Sequence, residues 1–182
     1  MNFKKLFSIT VFAIIVSLPT FANTDPKDKN NEKNEKTIVG VAAANDNFTT
    51  LVAAVKAAGL VETLNSDGPF TVFAPINDAF GKLPKGTVES LLKPENKKLL
   101  TAILTYHVVA GEFKAKDVLA AIKANNGKFD IKTVQGGTLT ASLKDGKVIL
   151  KDTKGNTSTV IITDVAASNG VVHAIDTVVM PK

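Results

Sequence analysis

The sequence contains no cysteine, no tryptophan and no arginine. Without cysteine, disulfide bonds, thiolate catalysis, zinc–cysteine centres and lipidation of an N-terminal cysteine are all excluded. Arginine is the side chain that forks onto phosphate and guanine, and here all 22 basic residues are lysine. The lysines are not interleaved with aromatic residues, so the net charge of +5 does not favour a nucleic-acid partner.

The common catalytic motifs are also missing from the sequence. It has no Gly-x-Ser-x-Gly elbow, no His-Glu-x-x-His pair, no Walker-type phosphate loop and no Gly-x-Gly-x-x-Gly turn. His107 and His173 are the two histidines, and they lack the helical spacing of a metal-binding pair. No pair of carboxylates can be assigned to acid/base work from spacing alone. We therefore predict a protein that is not an enzyme and has no cofactor or metal ion.

Residues 1–22 have the pattern of a secretory signal peptide. Lys4 and Lys5 precede an apolar run of 13 residues, and Ala22 offers a cleavage site. An uncleaved membrane anchor is the alternative, but a bilayer span takes roughly 20 apolar residues. We expect a secreted or periplasmic protein with no stable membrane span after cleavage.

Apart from Pro26, residues 23–36 contain no aliphatic or aromatic side chain, and their four lysines balance four acidic residues. Such a segment cannot bury enough apolar surface to offset the entropy of ordering. We predict a disordered polar linker, followed by a single folded domain over residues 37–182.

Three segments have the hydrophobic period of a helix. Their predicted buried stripes are Phe48, Leu51, Val52 and Val55; Leu99, Leu100, Ile103 and Leu104; and Val118, Leu119 and Ile122. Asp46 or Asn47 is the expected N-cap of the first helix, and Gly59 its expected end. Pro94 suits the first turn of the second helix, and Asn125-Asn126-Gly127 should stop the third.

The carboxy-terminal half is predicted to be rich in strands. Residues 138–144 alternate between apolar and polar, and Asp145-Gly146 favours a two-residue hairpin turn. Pairing Lys144 with Lys147 would place Leu143 opposite Val148 and Ala141 opposite Leu150. Residues 70–74 and 171–180 are apolar on both faces, which is typical of central strands. The sum is an α+β domain with mostly antiparallel strands.

Three motifs in order carry a resemblance to a known family. The first is GPFTVFAPINDAF from Gly68 to Phe80, and the last is NGVVHAIDTVVMP from Asn169 to Pro181. Tyr106-His107-Val108-Val109 stands between them. Together they resemble the two signatures and the tyrosine–histidine motif of the fasciclin domain, from about Thr37 to Pro181. The resemblance implies a fasciclin-like fold, a mostly antiparallel β-wedge or sandwich with flanking helices packed mainly from the N-terminal half.

Several motif residues are expected to have structural roles. Pro75 should end its strand, and Asn77 should cap the helix that carries Phe80, although Ile76 stands where the family usually has threonine. Asn169-Gly170 should form the turn before the last strand. The structural motif residues are Pro75, Asn77, Asp78, Phe80, Asn169, Gly170, His173 and Asp176.

The resemblance also implies a function, adhesion to cells, matrix or other surface molecules. It assigns candidate partner contacts to Tyr106 and His107 and to Asp164 and Val165, where valine replaces the family's isoleucine. The alternatives are a packed tyrosine ring, neutral core histidines and a capping or turn role for Asp164. We expect a monomer whose partner is a protein or a matrix or envelope surface component. The alternative function is a periplasmic carrier, with a small apolar ligand between sheet and helices.

Overall fold

The computed structural model describes residues 36–182. The predicted signal peptide, and the predicted linker up to its last residue, lie outside the described residues. Within the described part, the α-helices are α1 Ile38–Ala43, α2 Thr49–Ala58, α3 Val61–Asn65, α4 Asn77–Gly81, α5 Thr87–Leu91, α6 Lys97–Tyr106 and α7 Ala115–Ala124. The strands are β1 Phe70–Pro75, β2 Val108–Ala110, β3 Lys128–Lys132, β4 Thr138–Lys144, β5 Lys147–Lys151, β6 Thr157–Ala167 and β7 Gly170–Ile175.

The seven described strands form one sheet in the order β2-β1-β7-β6-β5-β4-β3. Every neighbouring pair is antiparallel except β1 and β7, which run parallel. The sheet closes toward itself, because the N–H of Val134, just after β3, donates to the carbonyl of Val108 in β2 at 2.8 Å. The mostly antiparallel β-wedge expected from the sequence is confirmed.

The parallel pair β1–β7 lies at the centre of the domain and is buried on both faces. Val72 pairs with Val172, and Phe73 pairs with His173. One face contributes to a helical core, whose members include Val72, Ala74, Val172, Ala174, Leu51, Val55, Leu100 and Leu104. The opposite face contributes to a strand core, whose members include Phe73, Ile175, Tyr106, Ile122, Leu139, Ala141 and Leu150. The prediction of central strands is therefore confirmed for residues 70–74 and for residues 171–175.

The helices present the predicted stripes to the sheet with one exception. Phe48, Leu51 and Val55 are buried beside α2, and Leu100, Ile103 and Leu104 are buried on α6. Leu99, predicted to be buried, is 53% exposed. One residue advances the helix by about 100°, so the face that buries Leu100 turns Leu99 toward solvent. Val118 and Ile122 of α7 are buried as predicted.

The start of α2 differs from the prediction. Neither Asp46 nor Asn47 caps it, because a 3₁₀ turn at Asp46–Phe48 precedes the helix. The cap is instead Asn77, whose Oδ1 accepts from the N–H of Thr50 at 3.0 Å and from the hydroxyl of Thr49 at 3.1 Å. Asn77 was expected to cap its own helix, α4, which has no side-chain cap. Because Asn77 lies just after the end of β1, its side chain reaches the start of α2 and caps that helix instead of α4.

The hairpin register is the predicted one, with Lys144 opposite Lys147 and Ala141 opposite Leu150. The last strand, however, ends at Ile175 and does not continue to Met180. Beyond it Asp176 still donates to the carbonyl of Thr159, but Val179 donates to His107 Nε2 at 3.3 Å and Met180 donates to Asp152 Oδ2 at 3.0 Å. The last two bonds, to side chains, replace the strand ladder.

The remote cap of α2 leads to a first prediction. Asn77→Ala removes the acceptor of two α2 groups and the 2.7 Å bond from Asn77 Nδ2 to the carbonyl of Asp46. We expect it to lower the free energy of unfolding by about 1–2 kcal/mol. Asn47→Ala is the matched control and should change it by less than about 0.5 kcal/mol. Urea unfolding measures both, and an equal loss in the two variants would contradict the assignment.

Candidate functional site

Tyr106 ends α6 and is completely buried in the strand core. Its hydroxyl donates to the carbonyl of Thr138 at 2.7 Å and accepts from the N–H of Thr153 at 3.3 Å. Burial raises the pKa of the phenol above its ordinary value. The ring also covers Gly137, where an added Cβ would lie 2.6 Å from a ring carbon. Tyr106 therefore fastens α6 to the ends of β4 and β5.

His107 follows Tyr106 and is 2% exposed. Its Nε2 accepts from the N–H of Val179, so Nδ1 carries the proton that is donated to the carbonyl of Ile103 at 2.8 Å. Burial lowers the pKa of the imidazole to about 4, although the Ile103 carbonyl opposes this shift. The ring is thus neutral at pH 7 and joins α6 to the chain after β7.

The expected partner contacts of Tyr106 and His107 need correction. Both side chains are buried, so neither presents a surface to another molecule in this fold. The sequence held a signal for this outcome, since Ile103, Tyr106 and His107 follow the i, i+3, i+4 spacing of one helix face. The structure therefore agrees with the alternative interpretation of both residues, a packed tyrosine ring and a neutral core histidine.

Asp164 lies in a bulged stretch of β6, where its φ is 58°. Its Oδ1 accepts from the N–H of Ala115, the first residue of α7, at 2.8 Å. This contact is a cap supplied from another element, and it confirms the capping alternative. Asp164 is exposed, so a contact with a partner stays a prediction, while Val165 is half-buried against the helical core.

His173 is buried in β7 and stacks on Phe73, with ring centroids 5.7 Å apart. Its Nδ1 accepts from the N–H of Asp164 at 3.2 Å, so Nε2 donates to the carbonyl of Phe113 at 2.8 Å. Both ring nitrogens are engaged by backbone groups. No group of three or more potential metal ligands occurs within residues 36–182.

The second signature motif connects the first helices of the described domain to its last strand. Asn169 Oδ1 accepts from the N–H of Ile38 at 2.9 Å, and its Nδ2 donates to the carbonyls of Leu64 and Ser66. Gly170 has a φ of 154°, and an added Cβ would lie 1.9 Å from the carbonyl oxygen of Phe70. Asparagine and glycine at these positions join α1, α3 and β1 to the start of β7.

The other structural motif residues have smaller parts. Burial alone would raise the pKa of Asp176, but bonds from Thr159 N–H and Thr177 Oγ1 and the charge of Lys82 3.5 Å away hold it below its ordinary value. Pro75 is the buried end of β1, and Phe80 packs against the helical core. Asp78 is exposed in the first turn of α4.

Sequence reasoning missed Asp152, a buried carboxylate at the end of β5. Its Oδ1 accepts from the N–H groups of Lys154 and Asn156, and its Oδ2 accepts from Asn156 Nδ2 and from the N–H of Met180. The Asp-Thr-Lys-Gly-Asn run after β5 is typical of an aspartate-led turn and could have indicated the local bonds. The bond to Met180 depends on the tertiary fold.

A model of the fasciclin domain matches residues 46–181. The chain therefore belongs to the fasciclin domain family, and the resemblance found in its motifs is confirmed. Along residues 36–182, no helix is both long enough and apolar enough to cross a bilayer.

Individual relatives support this membership. Protein sll1483 of Synechocystis sp. is 57% identical over 145 residues, which cover 80% of this chain and 73% of that protein. Transforming growth factor-beta-induced protein ig-h3 of Sus scrofa is 39% identical over 145 residues, 80% of this chain but 19% of its own length. A solved FAS1 domain pair from the insect cell adhesion molecule fasciclin I has the same fold, with a TM-score of 0.69 at 19% identity, over 78% of this chain and 50% of that chain.

The buried His107 predicts a specific dependence of stability on pH. An unfolded histidine takes up a proton below about pH 6.5, whereas His107 in the fold stays neutral to about pH 4. Between these two pH values the unfolded chain therefore binds more protons than the folded protein. The free energy of unfolding consequently falls as the pH falls. We expect His107 to contribute a loss of about 3 kcal/mol in the free energy of unfolding between pH 7 and pH 4.

The measurement is urea unfolding across this pH range for the protein and for His107→Gln. Glutamine can keep an acceptor and a donor but does not titrate, so the variant should show the shallower pH dependence. Equal slopes would show that His107 is not the group responsible.

The cap from Asp164 gives a separate prediction. Asp164→Ala removes the acceptor for Ala115 and places alanine at a left-handed φ, so we expect a loss of about 1–2 kcal/mol in the free energy of unfolding. Asp164→Asn keeps the acceptor and tolerates this φ, and should lose less than about 0.5 kcal/mol. If both variants lost the same amount in urea unfolding, the negative charge and not the cap would be what matters.

Proposed function

We propose that this protein is an exported, non-enzymatic fasciclin module that attaches to a protein or to a matrix or envelope component outside the cytoplasm. The observation that carries the proposal is the fasciclin domain over residues 46–181. A solved member of this fold is a pair of domains from an insect cell adhesion molecule, and adhesion is the activity we transfer to this chain.

The state of the two histidines supports a non-enzymatic role. His107 and His173 are both 2% exposed, and each ring bonds to backbone groups through both nitrogens. A general base must reach the proton that it removes, which neither ring does in this fold. The proposed function therefore assigns both histidines to the core.

Export rests on the sequence pattern of residues 1–22, and the polar residues 23–36 would separate the domain from whatever precedes it. The attachment surface must be sought among exposed side chains, since the motif residues Tyr106 and His107 are internal. Asp164 remains a candidate contact because it is exposed.

The carrier alternative has no comparable support. The apolar crevice between α7 and the sheet, lined by Phe73, Val118, Val148 and Val160 among others, has a volume of about 10 Å³. One water molecule already needs about 10–15 Å³, so a lipid or pigment does not fit there without rearrangement of the core. Adhesion is thus the function that the geometry favours.

The test is retention of cell-envelope fragments from the producing organism on a surface that carries the purified protein. We expect saturable retention at low salt that soluble protein competes away. Gly170→Val is the control for the fold, since its side chain would collide with the carbonyl of Phe70 and disrupt the centre of the sheet. No retention, or equal retention by this variant, would overturn the proposal.

A further inference from the structure

One face of the sheet is open to solvent and gathers lysines from three strands. The alternation of β3, β4 and β5 sends Ile131, Leu139 and Leu150 into the strand core, so the residues between them face outward. Five exposed lysines lie on this outer side, and we refer to them as the lysine face: Lys128, Lys132, Lys144, Lys147 and Lys151.

Pairing across the strands sets each lysine beside a particular neighbour. Lys128 lies opposite Ser142, and Lys132 lies opposite Thr138. Lys151 lies between Thr140 on one side and Thr157 on the other. Directly opposed residues in an antiparallel pair share a face, so ammonium and hydroxyl groups lie side by side on this surface, around the half-buried Ile149 opposite Ser142 and Thr159.

The positive charge of the lysine face exceeds the negative charge on it. None of its five lysines forms an ion pair with a carboxylate in the described residues, whose ion pairs involve Lys82, Lys93 and Lys114. Asp130 is the acidic residue on this face, and its Oδ1 accepts from the hydroxyl of Thr140 at 2.7 Å. Lys144 and Lys147 stand directly opposite each other, an arrangement of like charges that destabilises a sheet.

The net positive charge of the domain is concentrated in the segment that forms the lysine face. Residues 128–161 hold six lysines and three aspartates, a net charge of +3, which equals the net charge of residues 37–182 as a whole. A surface depression of about 700 Å³ lies on the lysine face. Its polar lining includes Lys128, Lys151, Thr140 and Ser142, together with the carboxylates of Asp130 and Asp152. The basic excess of the domain thus surrounds a shallow polar site.

We propose that the lysine face binds an acidic polysaccharide, with ammonium groups on its carboxylates or sulfates and threonine and serine hydroxyls on its sugar hydroxyls. The inference rests on the proposed function and names the chemistry of its partner. Single-stranded nucleic acid is the weaker interpretation, because bases stack on freely exposed aromatic rings, whereas Phe129, the aromatic residue that lines the depression, packs against the strand core. Anchoring in a bilayer interface uses tryptophan, phenylalanine or leucine, which the outward positions of these strands lack.

The experiment compares two variants of the purified full-length protein with equal changes in charge. Lys128, Lys147 and Lys151 are replaced by glutamine in one, and Lys56, Lys85 and Lys98, exposed lysines outside the lysine face, in the other. Binding is titrated by fluorescence anisotropy with labelled polygalacturonate, which carries carboxylates, with dextran sulfate, and with uncharged dextran. Circular dichroism verifies that both variants are folded.

We expect at least one acidic polysaccharide to bind at low salt and uncharged dextran not to bind. The variant of the lysine face should weaken the affinity about ten- to a hundredfold and make it less salt-dependent, because fewer counterions are exchanged. The control variant should weaken it by less than about threefold. The comparison of polygalacturonate with dextran sulfate identifies the preferred anionic group.

The inference is overturned if neither acidic polysaccharide binds, or if both variants lose affinity equally. It is also overturned if oligothymidylate or vesicles of phosphatidylglycerol bind more tightly than the polysaccharides do. Envelope retention is measured on the same samples. Absent polysaccharide binding with retention intact overturns this inference alone, whereas loss of both overturns the proposed function as well.

Discussion

The fold depends on the parallel pairing of β1 with β7. These two strands are covered on both faces, by the helices on one side and by β3, β4, β5 and α7 on the other. A strand buried on both sides needs apolar residues at successive positions, and β1 and β7 supply them. The helical core and the strand core are therefore built on one shared layer, and the rest of the domain is arranged around it.

The polar signature residues support this layer and do not form a reactive site. Asn169 gathers the ends of α1 and α3 at the start of β7, and Asn77 holds α2 at the end of β1. His107 and His173 satisfy backbone groups at places where the strand ladder stops or bulges. Buried polar groups that are fully bonded specify one arrangement of their surroundings, which explains why these motifs mark the fold more than they mark an activity.

Local chemistry made much of this architecture predictable from the sequence. The hairpin could be placed because Asp145-Gly146 and the alternation of β4 agree on one register. Other features depend on contacts between distant segments and could not be predicted. They are the burial of Leu100 beside an exposed Leu99, the cap of α2 by Asn77 and the bond from Met180 to Asp152. The lysine face was only partly predictable for the same reason. The hairpin predicts Lys144 opposite Lys147, but the pairing of β3 with β4 is needed to place Lys128 and Lys132 on the same face.

The pairing of Phe70 with Gly170 joins positions one hundred residues apart along the chain. The central layer therefore cannot be completed until nearly all of the polypeptide is available, and folds dominated by such distant contacts form slowly. The sheet of this domain therefore closes late in folding, when β7 joins β1.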